Sequence, residues 1–155
     1  MADRVSASIE IGGSLSSADY SILTDLISGE GLSTEWDGEP FQTEHHMIGE
    51  PLSLYAHEVA WGHFSELEGY CIRKALPFTR WCDGYSTEWG PQRVVFTGQG
   101  APRTYDADTN NRVVIDRATV EKLRTVDAIQ AWFNDADFAI PAFVVEDASE
   151  PSVSD

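Results

Sequence analysis

Apolar and polar positions change period twice between Leu52 and Gly84. Leu52, Leu54 and Ala56 alternate with Ser53, Tyr55 and His57, the two-residue period of a strand with one buried face. From Gly62 onward the period lengthens, and Phe64, Leu67, Tyr70 and Cys71 share one helical face while Glu66, Glu68, Arg73 and Lys74 point elsewhere. Arg73 and Lys74 fall in the last turn, opposite the negative end of the helix dipole. Pro77 stops the helix, and Phe78 to Cys82 resumes as strand.

Residues 5–38 carry a rougher copy of this pattern. Val5, Ala7, Ile9 and Ile11 alternate with Ser6, Ser8 and Glu10, and Gly12-Gly13 ends the strand. A helix follows, with Ser16 or Ser17 as N-cap and Asp19 in the first turn, where acid is favoured. Tyr20, Leu23, Leu26 and Ile27 take the places of Phe64, Leu67, Tyr70 and Cys71. Gly29 and Gly31 end that helix, and a strand over Leu32 to Trp36 reaches Asp37-Gly38 as Phe78 to Cys82 reaches Asp83-Gly84. Two tandem strand-helix-strand units predict an α+β, ferredoxin-like split βαβ sandwich with both helices on one sheet face.

Beyond Gly84 the segments shorten. Arg93 to Thr97, Arg103 to Asp106 and Arg112 to Ile115 read as strands of a meander, separated by turn residues at Gly98 to Pro102 and Asn110-Asn111. Asp116 caps a helix over Ala118 to Arg124, and Thr125 caps another whose Val126, Ile129 and Phe133 are spaced for one buried face. Ile140 to Val145 is a final strand, placed at a sheet edge by Pro141. The expected organisation is one domain over residues 1–146, extended from the two units by the meander and two short helices, with a disordered acidic tail over 147–155.

Charge adds what the periodicity lacks. The formal net charge is −16, and it is uneven: residues 1–72 hold 13 acids against Arg4 alone, whereas residues 73–124 hold 9 bases against 6 acids. Nucleic acid is disfavoured as a direct partner, since affinity for it comes from counterions released by Lys and Arg. A basic protein partner is favoured, because a field of one sign gathers the opposite sign. The concrete expectation is a non-enzymatic inhibitor, of the anti-restriction or anti-CRISPR type, whose carboxylates stand in for phosphates on a basic nucleic-acid-binding enzyme. The candidate carboxylates are Asp19, Asp25 and Glu30 on the first helix, Glu35, Asp37, Glu39 and Glu44 after it, and Glu66 and Glu68 on the second.

Catalytic and metal signatures are weak. His57-Glu58 and His63 are spaced six apart rather than four, so both imidazoles cannot meet one metal from one helical turn. An alternative enzyme would use His45, His46 and His57, with Glu44 or Glu50 as a further ligand; a small ligand on an aromatic sheet face is the other alternative. No nucleophile elbow or phosphate-binding loop is present, so neither a catalytic residue, a metal nor a cofactor is expected. Tyr55, His57, Trp61 and Trp81 could line the uncovered sheet face, yet without surrounding bases they suit core packing or a protein contact better than stacked RNA. Two cysteines, Cys71 and Cys82, read as free packing thiols, and the chain has no membrane-length apolar run and no apolar leader. A cytoplasmic protein is therefore expected.

Overall fold

A computed structural model describes residues 4–85 and 89–146. Ser86 to Glu88 and the tail expected over 147–155 lie outside the described residues. The architecture is mixed α+β, a five-stranded antiparallel sheet with four helices. β1 (Arg4–Ile11) pairs antiparallel with β3 (Leu52–Ala60) on one side and β4 (Phe78–Cys82) on the other. β5 (Gln92–Phe96) and β6 (Arg103–Asp106) continue beyond β4, giving the order β3-β1-β4-β5-β6.

Strand alternation decides the two faces. Ala7, Ile9, Ile11, Leu52, Leu54, Phe78, Val94 and Phe96 point to one side and are buried under α1 (Ser17–Gly29) and α2 (Ser65–Arg73). Leu23 and Ile27 of α1 and Leu67, Tyr70 and Cys71 of α2 fill the same core, so both helices lie on one face as the periodicity predicts. Each such aliphatic or aromatic side chain contributes about 1.5–3 kcal/mol by leaving water. The Tyr70 hydroxyl donates to the Asp19 carbonyl at 3.0 Å and ties the two helices together. One charge enters this core: Arg80 is buried and its Nε donates to Glu68 Oε2 at 3.0 Å. The same oxygen accepts the Phe64 N–H at 2.8 Å, so Glu68 caps its own helix from inside.

A second, smaller core sits on the opposite face, at the β5–β6 end. There α4 (Val126–Ala136) lays Trp132 and Ala136 against Val95 and Tyr105. The expected stripe of Val126, Ile129 and Phe133 is corrected in part: Val126 is 68% exposed, whereas Ile129 and Phe133 are half-buried, and the docked face centres on Trp132 and Ala136. Thr125 does cap this helix and Asp116 caps α3 (Arg117–Leu123), each by accepting an N–H three residues on.

Other expected elements are shortened or moved. Leu32 to Trp36 is no strand; one antiparallel bridge joins Ser33 to Tyr55, after which Ser33 Oγ donates to the Gly38 carbonyl and Gly38 N–H to the Glu35 carbonyl. That local turn takes the backbone groups a strand would need. Arg112 to Ile115 likewise shrinks to a bridge between Val113 and Ala107, since the Asp108 carboxylate captures the N–H groups of Asn110 and Arg112. Gly12-Gly13 bends the chain without ending extended structure, which continues as β2 (Gly13–Ser16). β7 (Phe143–Glu146) pairs parallel with β2 in a separate two-stranded sheet instead of lining the edge of the main one. A Cβ at Gly12 would lie 2.2 Å from the Pro141 carbonyl oxygen, so only glycine lets that segment come close enough. Finally, α2 starts at Ser65 and not at Gly62, because Trp61 and Gly62 make a turn with φ of 57° and 70°.

Candidate functional site

Away from α1, α2 and α4, the β3-β1-β4 end of the sheet keeps an uncovered face. The register places Tyr55, Ser8 and Trp81 side by side across three strands, with Ser53, Glu10 and Thr79 as the next row. Trp36, brought in by the Ser33–Gly38 turn, leans over this floor: its ring lies 4.9 Å from Tyr55, 5.0 Å from His57 and, edge-on, 6.3 Å from Trp81. Asp37, at φ 59°, completes the turn that holds it there. Sequence reading missed Trp36, having placed it at the end of a strand.

The opposite wall is the loop after β6. Trp81 Nε1 donates to the Asp108 carbonyl at 3.0 Å, and the Asp108 side chain, held below the ordinary carboxylate range mainly by the Arg112 N–H, also accepts the Asn110 N–H, while the Asn111 N–H donates to the Asp108 main-chain carbonyl. Arg93 secures Asn111 from behind, donating to both its side-chain and main-chain oxygens. Between the walls lie two adjoining hollows. One, of about 290 Å³, is lined by Ser8, Trp36, Tyr55, Trp81 and Thr109 to Asn111. The other, of about 140 Å³, shares Ser8, Tyr55, Trp81 and Asn111 and adds Glu10, Ser53 and Thr79. Neither lining includes a lysine or arginine. Glu10 is half-buried and its carboxylate meets only a long hydrogen bond from Ser53 Oγ at 3.4 Å; among the described residues no base pairs with it.

At the rim, Ser6, His57 and Asp37 form a line. Ser6 Oγ and His57 Nδ1 are 2.7 Å apart, and His57 Nε2 is 3.2 Å from Asp37 Oδ1. A bulge creates it: between the pairs Val5–Val59 and Ala7–Ala56, β3 carries an extra residue, and Glu58 takes φ 59°, which turns His57 toward Ser6.

The sequence-derived carboxylates are distributed over several places. Glu30, Glu66 and Glu68 converge between the ends of α1 and α2, where burial and then the charges of Glu68 and Glu66 hold the Glu30 carboxyl above its ordinary value. Glu68 is taken up by Arg80, and Asp19 by Lys74 at 3.2 Å. Asp25 and Glu66 are exposed on their helices, Glu35 and Asp37 belong to the Trp36 turn, and Glu39 and Glu44 are exposed on the loop that follows. His45 and His46 rest edge-on against the core rings of Phe41 and Phe143, while His57 faces Trp36 on the open side. The described residues contain no group of three or more His, Cys, Asp or Glu placed to hold a metal. Trp61 is away from the open face, with His63, Trp89 and Gln92. No helix among the described residues is long and apolar enough to cross a membrane. No protein family, curated protein or solved structure matches this chain.

Proposed function

We propose that this chain is a non-enzymatic binding protein whose partner is a basic protein, held on the open end of the sheet. The observation that carries the reading is the aromatic hollow of Trp36, Tyr55 and Trp81, whose lining contains no base, on a molecule of net charge −16. Large aromatic side chains at a partly covered surface are the usual anchors of protein contacts. The surrounding negative field steers a cationic partner toward them. In its most concrete form the protein is an inhibitor occupying the nucleic-acid site of its partner. The carboxylates able to stand for phosphates beside this face are then Glu35, in the Trp36 turn, with Glu39 and Glu44 on the loop after it; Asp25, Glu30 and Glu66 belong to the helices of the opposite face, Asp19 and Glu68 have ionic partners within the chain, and Asp37 lies 3.2 Å from His57. A cytoplasmic setting belongs to the proposal, supported by two buried free cysteines. So does a ferredoxin-like split βαβ arrangement, supported by the order Ser33 segment, β3, β1, β4 with antiparallel neighbours throughout.

The test is association with a partner isolated from the host, measured across salt concentration. Binding should weaken steeply as salt screens the fields over about 10 Å at 0.1 M. The reversal Glu35→Lys, in the turn that carries Trp36, should slow association while the protein stays folded, and excess nucleic acid should compete. Association indifferent to salt and to the reversal would overturn the steering, and a ternary complex retaining nucleic acid would overturn the inhibitor form.

The line of Ser6, His57 and Asp37 favours a second reading, acyl transfer. Ser6 Oγ would attack an ester carbonyl while its proton passes to His57, which Asp37 orients and stabilises as imidazolium; His57 then returns that proton to the alcohol as its C–O bond breaks, leaving the acyl group on Ser6 for water to remove. It ranks below binding because the His57 and Asp37 side chains are 46% and 82% exposed, so water competes for both. Labelling of Ser6 by a fluorophosphonate, lost in Ser6→Ala and His57→Ala, would promote it; an unlabelled native protein would remove it.

A further inference from the structure

We infer that the two adjoining hollows on the open sheet face form a single pocket for an arginine side chain of the partner. This rests on the proposed binding function and names the group it recognises. The floor and one wall are aromatic, Tyr55 and Trp81 with Trp36 leaning over them, and a guanidinium is attracted to such faces because their quadrupole presents negative charge. At the inner end stands Glu10, half-buried and without a basic partner among the described residues. Ser53 and Thr79 flank it by strand register. Glu10 lies two residues along β1 from Ser8 on the same face, a step of about 6.8 Å, so one long side chain can lie on the rings and reach Glu10. An arginine side chain does both, laying its apolar stem and plane on the rings and presenting its fork to the carboxylate. Lysine offers a point charge with neither the plane nor the paired donors, and so fits one end only.

The unpaired carboxylate explains why the pocket suits a cation. With one long hydrogen bond and no basic partner among the described residues, Glu10 keeps its acceptor sites for a charged donor.

The experiment titrates the protein with the blocked amino acids N-acetyl-arginine amide, N-acetyl-lysine amide and N-acetyl-citrulline amide, following the Trp36 and Trp81 indole resonances by NMR. Citrulline keeps the shape of arginine and removes its charge. The arginine compound should shift both indoles saturably, the lysine compound should bind more weakly, and citrulline should leave them unmoved. Glu10→Gln, which preserves size, should weaken arginine binding about tenfold or more, as expected for loss of a charge-assisted hydrogen bond. Trp36→Ala, at a residue 41% exposed, should weaken it as well without unfolding the sheet. Equal binding of citrulline, full binding by Glu10→Gln, or indole shifts absent at saturating arginine would each overturn the pocket. Failure here is distinguishable from failure of the binding function: loss of salt-dependent association with the isolated partner strikes the function, whereas association persisting without any arginine response strikes the pocket alone.

Discussion

β1 passes through two environments at every second residue. Ala7, Ile9 and Ile11 meet the apolar faces of α1 and α2, while Ser6, Ser8 and Glu10 meet an aromatic and polar surface that no helix covers. Both faces contain a carboxylate drawn partly out of water. On the closed side Glu68 is satisfied by Arg80 and the Phe64 N–H, and its role is exhausted by the fold. On the open side Glu10 has no such partner, which leaves its charge to act on a ligand. A carboxylate is therefore open to a ligand here only where the fold has not already paired it.

The comparison breaks most sharply at the ion pair. Glu68→Ala leaves Arg80 buried without its counter-ion and should cost about 3–5 kcal/mol in urea unfolding. The conservative Glu10→Gln on the other face should be near neutral by the same measurement. Comparable costs for the two would dissolve the distinction between the faces. Next in size, Leu67→Ala should cost about 2–5 kcal/mol, because the site is fully buried and a cavity remains.

A pH series sharpens the contrast further. Burial, and secondarily Glu68, pushes the Cys71 thiol up from about 9 to about 12. Above pH 9 the unfolded chain then loses a proton that the folded chain keeps, so stability falls as pH rises from about 9 toward 12, at up to about 1.4 kcal/mol per pH unit for that thiol. Unfolding midpoints measured at pH 7.5, 9 and 10.5 check this, and Cys71→Ser should flatten the decline. The smallest effect belongs to the open face, where Trp36→Ala loses ring contacts with Tyr55, His57 and Trp81 and should cost about 0.5–1.5 kcal/mol. A larger loss would make Trp36 a structural element instead of the cover of a binding surface.

Much of the closed face was legible in the residues themselves. The alternation at Val5 to Ile11 and Leu52 to Ala56 located β1 and β3, the spacing of Leu23 with Ile27 and of Leu67 with Cys71 picked the buried stripes, and Ser16, Asp116 and Thr125 cap as their side-chain chemistry directs. The open face was less so. The strand period places Tyr55 and Trp81 on it, but Trp36 reads as strand, Trp61 lies away from it, and Glu10 reads only as an outward strand position with nothing to single it out among so many acids.

The sequence by itself determined which side chains share a face, because the periods of strand and helix follow from local backbone geometry, and it determined the sign of the field, because charge needs no fold. Only the tertiary structure decided which carboxylates are spent and which remain. Glu68 meets Arg80 twelve residues away, and Ser6 meets His57 across fifty-one. Such meetings depend on how separate segments pack and on a bulge and a turn that break the local period, so no pattern along the chain announces them.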